Sequence, residues 1–210
     1  MKKKNNFLKS RVLELVFVSA SLLLILTLSL SSCNSSSNRN SNQNAKPEDT
    51  KAVAEEHNDA KFANTKEDDA KFLVAAAEIN LEEIQLGRLA QTRGISTQVK
   101  ELGKMMETEH TKASSDLQAL AAKKQVTIPT TLTDDGISAN QKLTDTKLSD
   151  FDKEYADMMV RGHKDAISKF EKASTDATDS DTRDWAASML PALRKLLDLS
   201  INCQKESEKM

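Results

Sequence analysis

Hydrophobic and polar residues alternate along most of this chain with the period of an α-helix. From about residue 65 onward, apolar side chains recur at steps of three and four positions, as in Phe72, Ala76 and Ile79. This spacing returns each apolar side chain to one helix face, whereas a strand would alternate at every second residue. The pattern predicts four long helices, A at about 65–93, B at about 96–124, C at about 149–174 and D at about 181–204, and a short helix near 138–146.

The connections between these segments indicate how the helices pack. Gly94 ends helix A, Ser96 can cap helix B, and the polar stretch Thr175–Asp181 separates helices C and D. Short connections make A antiparallel to B and C antiparallel to D, whereas the B–C connection is longer and contains Pro129. We therefore expect an all-α fold, an up-down four-helix bundle with a short extra helix in the B–C connection.

Three polar residues interrupt the apolar seams of these helices. Glu83 lies on the seam of helix A, His110 on that of B and His163 on that of C. In an antiparallel hairpin, residues equally distant from the turn lie at one level, which pairs Glu83 with His110 and His163 with position 196. Both levels fall near the middle of the bundle, so the three side chains should converge in the core. Because an unpaired buried charge is costly, they should be paired, neutralised or metal-bound there.

Two interpretations of this convergence remain open. Glu83, His110 and His163, helped by Glu109 or water, could bind one Zn or Fe ion with an open position. Alternatively, they form a buried hydrogen-bond network that fixes the helix register. A full di-iron site is not predicted, since Glu107-x-x-His110 has the required spacing but Val160 replaces the acid of helix C.

Asp152 and Tyr155 lie too far along helix C to complete a site with His163. Asp152 precedes His163 by eleven positions, which is about 16 Å along a helix. We expect these two residues to form a separate polar contact near the start of helix C.

The N-terminal segment predicts export and lipidation. Lys2, Lys3 and Lys4 precede an apolar run from Leu15 to Leu30, the pattern of a secretory signal peptide. Leu30-Ser31-Ser32-Cys33 resembles the lipobox of bacterial lipoproteins, which implies cleavage before Cys33 and a lipid on its sulfur. The alternative is an uncleaved transmembrane helix, for which the run is barely long enough.

The domain organisation follows from these segments. Residues 1–32 are expected to be the signal peptide, and residues 33–64 a lipidated, disordered tether. The Ser- and Asn-rich stretch Asn34–Asn44 has too little apolar surface to fold, although the charged residues 46–64 could hold a short helix with His57 in solvent. Residues 65–205 form the bundle, and residues 206–210 a polar tail.

Charge and cysteine content narrow the function classes. The whole chain has a net charge of -2, and removing residues 1–32 leaves 25 Lys and Arg against 31 Asp and Glu. A mildly acidic domain without a basic stripe excludes nucleic acid as the expected partner. With Cys33 lipidated, Cys203 has no intramolecular disulfide partner and should pack as a small apolar residue.

Several motifs together resemble a bacterial family of envelope proteins. They are Glu83-Ile-Gln-Leu-Gly-Arg-Leu-Ala90, Met105-Met106 through Glu109-His110, Leu120-Ala121 with Pro129, Phe151-Asp152 with Tyr155 and His163, and Leu190-Pro191. The resemblance is to a family of outer-membrane and periplasmic proteins with a ferritin-like domain of unknown function, and it covers about residues 66–200. It implies a ferritin-like fold and no established reaction.

The resemblance also implies a ligand set, which this chain completes only in part. In that family, the acidic-His pair of helix B, the His of helix C and a His after Leu-Pro on helix D recur with the Glu of helix A. Here the helix D position is Leu196. Leu196 therefore favours a degenerate, metal-free scaffold, and Leu196→His is expected to restore or strengthen metal binding.

These inferences combine into two functional hypotheses. The first is a lipid-anchored protein of the bacterial cell envelope, at the outer membrane, that acts without catalysis through surface contacts or in stress. The second is a metal-binding or metal-dependent redox protein that uses Glu83, His110 and His163 with Fe or Zn. The membrane is reached through the lipid on Cys33, and the sequence names no protein partner.

Overall fold

The structure, a computed structural model, describes residues 49–62 and 66–209. These residues form six helices and no strand, which confirms the all-α prediction. The helices are α1 (Thr50–Phe62), α2 (Glu67–Arg93), α3 (Thr97–Lys124), α4 (Asp134–Asp145), α5 (Leu148–Asp176) and α6 (Ser180–Ser207). The predicted signal peptide, Cys33 and the Asn34–Asn44 stretch lie outside the described residues. None of the described helices combines the length and apolar character that crossing a membrane requires.

Two antiparallel hairpins, α2–α3 and α5–α6, form the four-helix bundle. Local capping sets their turns: the Ser96 hydroxyl accepts the Val99 N–H at 3.2 Å, and the Asp179 carboxylate accepts the Thr182 N–H at 3.0 Å. Gly94 ends α2, as predicted, and its N–H donates to the Ala90 carbonyl. Both short turns therefore follow from residues that satisfy helix-end backbone groups.

The long connection between the hairpins crosses the length of the bundle. Asp152, near the start of α5, accepts the Ile95 N–H from the end of α2, so α5 begins where α2 ends and runs antiparallel to it. The connection, which includes α4, runs along α2. Thr133 donates its hydroxyl to Glu78 at 2.9 Å, and Arg93 donates to the Thr146 carbonyl at 2.8 Å. The four bundle helices thus run up, down, down and up.

The core consists of two apolar halves. One half surrounds the α2–α3 turn and includes Leu86, Leu102, Met106, Phe151, Met159 and Leu196. The other surrounds the α5–α6 turn and includes Leu73, Leu117, Ala166, Phe170, Leu190 and Leu193. Between these halves, α2 contributes Glu83, α3 contributes His110 and α5 contributes His163. A buried polar layer therefore lies at mid-bundle.

The structure corrects the two ends of the predicted bundle. The predicted tether, residues 33–64, contains the helix α1, which buries Ala54 and Asn58. Asn58 donates to the Thr127 carbonyl and accepts the Thr127 N–H, both at 2.8 Å, so this helix is fixed to the α3–α4 loop. The sequence allowed a short helix within residues 46–64, but the buried face of α1 is small and largely polar, so hydrophobic periodicity did not indicate that it packs on the bundle. At the other end, α6 continues to Ser207, into the predicted polar tail.

Candidate functional site

Glu83 of α2, His110 of α3 and His163 of α5 meet in the polar layer of the core. All three are buried, with 5%, 2% and 1% of their surface exposed. The His163 Nδ1 lies 3.8 Å from the Glu83 Oε1, and the two imidazole rings are 5.6 Å apart between centroids, edge to face. The structure therefore brings together the three residues that helix spacing placed at mid-bundle.

Hydrogen bonds fix the tautomer of both histidines. The His163 Nδ1 lies 2.9 Å from the Met159 carbonyl oxygen, and the His110 Nδ1 lies 2.9 Å from the Asn80 Oδ1. The Met159 backbone oxygen can only accept, so the His163 Nδ1 carries a proton and donates it. With the Asn80 amide turned so that its Oδ1 faces the ring, the His110 Nδ1 does the same. In each neutral ring the Nε2 is then left with a free lone pair.

Five buried polar atoms of the core, four of them in this layer, have no hydrogen-bond partner in the described structure. They are the Nε2 of His110 and of His163, the Glu83 Oε2, the Asn80 Nδ2 and the Tyr155 hydroxyl. We call these five residues the polar core cluster. Leaving one buried polar atom unpaired costs about 1–3 kcal/mol, so such atoms are rare unless something else satisfies them.

Burial disfavours the charged form of the acid and of the two imidazoles. Loss of hydration raises the pKa of Glu83 well above its ordinary value, and the neighbouring Glu82 adds to the shift. The same burial lowers the pKa of His110 to about 3, with His163 contributing, and lowers the pKa of His163 to about 4. Neutral imidazole with a free Nε2 is the form that binds metal ions.

The separation of the two rings is that of imidazoles that share one transition-metal ion, whereas no third ligand is in place. Two imidazoles that share an ion through Nε2 at about 2.1 Å have ring centres about 5–6 Å apart, close to the observed 5.6 Å. Donation of Nδ1–H to a carbonyl is also the usual outer-shell arrangement of a metal-binding histidine. Yet no group of three His, Cys, Asp or Glu side chains in the described residues is arranged to hold an ion as it stands.

The remaining predicted site residues lie apart from the histidine pair. Glu107 is on the surface, where it accepts hydrogen bonds from Arg88 and Gln91 that lower its pKa. Glu109 is exposed and lines a separate cavity beside Leu196. Neither acid reaches the histidine pair, so the structure does not support an accessory role for Glu109, and the Glu107-x-x-His110 spacing does not bring Glu107 to the core.

Asp152 and Tyr155 do not share one polar contact, contrary to the sequence prediction. Asp152 accepts the backbone N–H groups of Ile95 and Ser96 at the α2–α3 turn, at 2.8 and 2.7 Å. Tyr155 is fully buried within the core, and burial raises its pKa well above the ordinary value, with the Glu83 carboxyl adding to the shift. No hydrogen bond joins the Tyr155 hydroxyl to Asp152.

Two residues of this region escaped the sequence analysis. Asn80 fixes the His110 tautomer, and its position could have been found because the midpoint of 80 and 110 also falls in the α2–α3 turn. Gly162 lies against Glu83, where an added Cβ would be 3.1 Å from the Glu83 Oε1. Nothing in the hydrophobic pattern indicates that a helical glycine faces an acid.

The matched region of the chain extends from before α1 to within α6. The family described as "Domain of unknown function (DUF4142)" matches residues 48–200. This chain belongs to that family. Because the DUF4142 match begins before Thr50, α1 is part of the family domain rather than of a tether. Neither a curated protein nor a solved structure matches the chain.

Proposed function

We propose that this DUF4142 protein binds one transition-metal ion in the core of its bundle. The observation that carries the proposal is the pair of neutral, buried imidazoles whose Nε2 lone pairs have no partner. A satisfied structural network would use these atoms, whereas a metal site leaves them free for the ion. Zn and Fe(II) are the ions that suit a set of imidazole and carboxylate ligands.

Each residue has a distinct part in this proposal. His110 and His163 supply nitrogen ligands, and Asn80 and the Met159 carbonyl hold their rings by the Nδ1–H. Glu83 would supply an oxygen after a side-chain rotation and the loss of its proton; its Oε1 now lies 3.8 Å from the Nδ1 of His163. A bound ion would supply Lewis acidity and, for iron, one-electron redox chemistry at an open position.

We also propose that the domain is ferritin-like and held at the bacterial envelope. The up, down, down, up order with one long crossover connection is the arrangement that ferritin-like bundles use. The basic N-terminus, the apolar run and Leu30-Ser31-Ser32-Cys33 support export and lipidation at Cys33, with attachment to the outer membrane.

A second candidate function is a metal-free scaffold that acts through surface contacts in the envelope. Leu196 favours it, because this residue packs in the apolar half of the core beside Met106 and Met159, where the resembling family has a histidine. In this case the polar core cluster is an inherited arrangement that fixes helix register, and the missing ligand explains why three donors are not gathered.

One measurement separates the two candidates. The full-length protein, purified in detergent, is loaded with Zn²⁺ or Fe²⁺, passed through a desalting column and assayed for metal by elemental analysis. The metal-binding proposal predicts near one ion per chain, lost in His110→Ala and in His163→Ala. His57→Ala is the matched control, because this exposed histidine of α1 lies outside the core. A well-folded protein without metal would favour the scaffold.

A further inference from the structure

A surface cavity ends at the Glu83 side chain. It measures about 160 Å³ and lies between α2 and α5, where Ile79, Glu82, Glu83, Gly162, Asp165 and Lys169 line it. Of these, Glu83 is the residue that also belongs to the polar core cluster, and its Oε2 is buried without a partner. The cavity therefore joins solvent to the acid that faces the histidine pair.

Gly162 keeps this passage open. An added Cβ on Gly162 would lie 3.1 Å from the Glu83 Oε1, tighter than an ordinary contact, and it meets no other atom within 4 Å. Gly162 lies inside α5, where glycine lowers helix stability by about 1 kcal/mol relative to alanine. The helical backbone of α5 therefore does not explain a glycine at position 162, whereas the open space in front of Glu83 does.

The carboxyl oxygens at the mouth suit a cation. Glu82 and Asp165 line the cavity together with the single base Lys169, which lies one turn beyond Asp165 on the same helix. By contrast, the cavity on the other side of the bundle, about 260 Å³ in volume, ends on the apolar Leu196 and offers no polar core atom. The cavity beside Leu196 has one carboxylate, Glu109, next to the base Lys195. The Gly162 cavity has two, Glu82 and Asp165, and leads to a third acid, Glu83.

We infer that the Gly162 cavity is the path by which a divalent metal ion reaches Glu83 and the histidine pair. This inference rests on the proposed metal binding. Narrowing an access path slows both metal binding and metal release and leaves the dissociation constant unchanged. Losing a ligand, by contrast, raises the dissociation constant.

Stopped-flow kinetics with Co²⁺ test the path. Co²⁺ is the probe because its visible absorption reports binding to nitrogen and oxygen ligands, and the full-length protein is used. Gly162→Leu, which fills the cavity, is expected to lower the association and dissociation rates together by at least tenfold. Gly162→Ala should lower both by a smaller factor and provides the test if the leucine variant does not fold. Ala192→Leu, which fills the cavity beside Leu196, is the matched control and should bind at the wild-type rate.

Each outcome has one meaning. Wild-type protein that binds Co²⁺ with association rates unchanged in both Gly162 variants would overturn the path and leave the metal site standing. Slowing in Ala192→Leu instead would move the path to the opposite cavity. Wild-type protein that binds no Co²⁺ would overturn the metal site and the path with it.

Discussion

Asp69 and Asp152 hold the turns of each other's hairpins. Asp152 accepts the N–H groups of Ile95 and Ser96, and Asp69 accepts those of Thr178 and Asp179, all at 2.7–2.8 Å. A shift of 83 positions carries Asp69 to Asp152 and the first pair of donors to the second. The same shift superimposes the bounds of α3 on those of α6. The bundle is therefore built from two equivalent hairpins that clamp each other reciprocally.

The reciprocal clamp predicts that both aspartates stabilise the fold by similar amounts. Asp69→Ala and Asp152→Ala each leave two backbone N–H groups without their acceptor, so each is expected to lower the free energy of unfolding by about 2–4 kcal/mol. Urea unfolding followed by circular dichroism measures the loss. Asp184→Ala, at an exposed position of α6, is the control and should change stability by about 0.5 kcal/mol or less. Losses no larger than the control's would show that the clamps are dispensable.

Gly87 of α2 and Gly103 of α3 lie where the two helix backbones are in close contact, and we predict that neither position tolerates a side chain. A Cβ on Gly87 would lie 2.6 Å from the Gly103 carbonyl oxygen, and a Cβ on Gly103 would lie 2.6 Å from that of Gly87. Alanine would favour the helix by up to about 1 kcal/mol, but the backbone clash should reverse the sign. We expect Gly87→Ala and Gly103→Ala to lower the free energy of unfolding by about 1–3 kcal/mol.

Thermal unfolding checks the sign of this effect. Gly162→Ala is the matched control, because the one atom its Cβ would meet is the movable end of the Glu83 side chain. A rise in melting temperature for Gly87→Ala or Gly103→Ala would contradict the close helix contact.

The buried acid Glu83 predicts that Glu83→Gln stabilises the protein, by a larger amount at higher pH. The pKa of Glu83 is raised in the folded protein, so above pH 4.5 the unfolded chain ionises this group while the folded chain keeps it protonated. Stability is therefore lost as pH rises from 4.5 toward the folded pKa, by at most about 1.4 kcal/mol per pH unit. Glu83→Gln removes this loss, so its advantage over the wild type should grow with pH.

Urea unfolding between pH 4.5 and pH 8, with chelator to remove metal, measures this difference. Glu109→Gln, an exposed acid of α3, is the control and should show no such trend. A stability difference between Glu83→Gln and wild type that stays constant with pH would mean that Glu83 ionises normally in the core.

The apolar residue at position 196 predicts a gain-of-function variant. Leu196 packs with Met106 and Met159, each of which lies one turn from a core histidine on its own helix. Leu196→His would add a third nitrogen ligand, and we expect it to tighten Zn²⁺ binding at least tenfold.

Competition titration with a chromophoric chelator measures this affinity. Leu190→His is the matched control, because it places a histidine on α6 in the apolar half of the core nearer the α5–α6 turn. Equal affinity of Leu196→His and wild type would show that position 196 does not face the histidine pair.

The sequence predicted more of the candidate site than of the contacts between the hairpins around it. Glu83, His110 and His163 each break an apolar seam, and the distance of each from the turn of its own hairpin places it near mid-bundle. Asp152 shows where this reasoning ends. Its partners, Ile95 and Ser96, lie in another hairpin, and no local spacing relates positions in separate hairpins. The reciprocal relation to Asp69 became visible only through the contacts.

By itself, the sequence determined the helices, the two hairpins and the mid-bundle depth of three polar residues, because each of these depends on the 3.6-residue period and on nearby turn residues. The tertiary structure decided the direction of α5 relative to α2, the packing of α1, and the hydrogen bonds that leave both Nε2 atoms free. Those features depend on contacts between residues far apart in the chain, and helical periodicity carries no information about which distant surfaces meet.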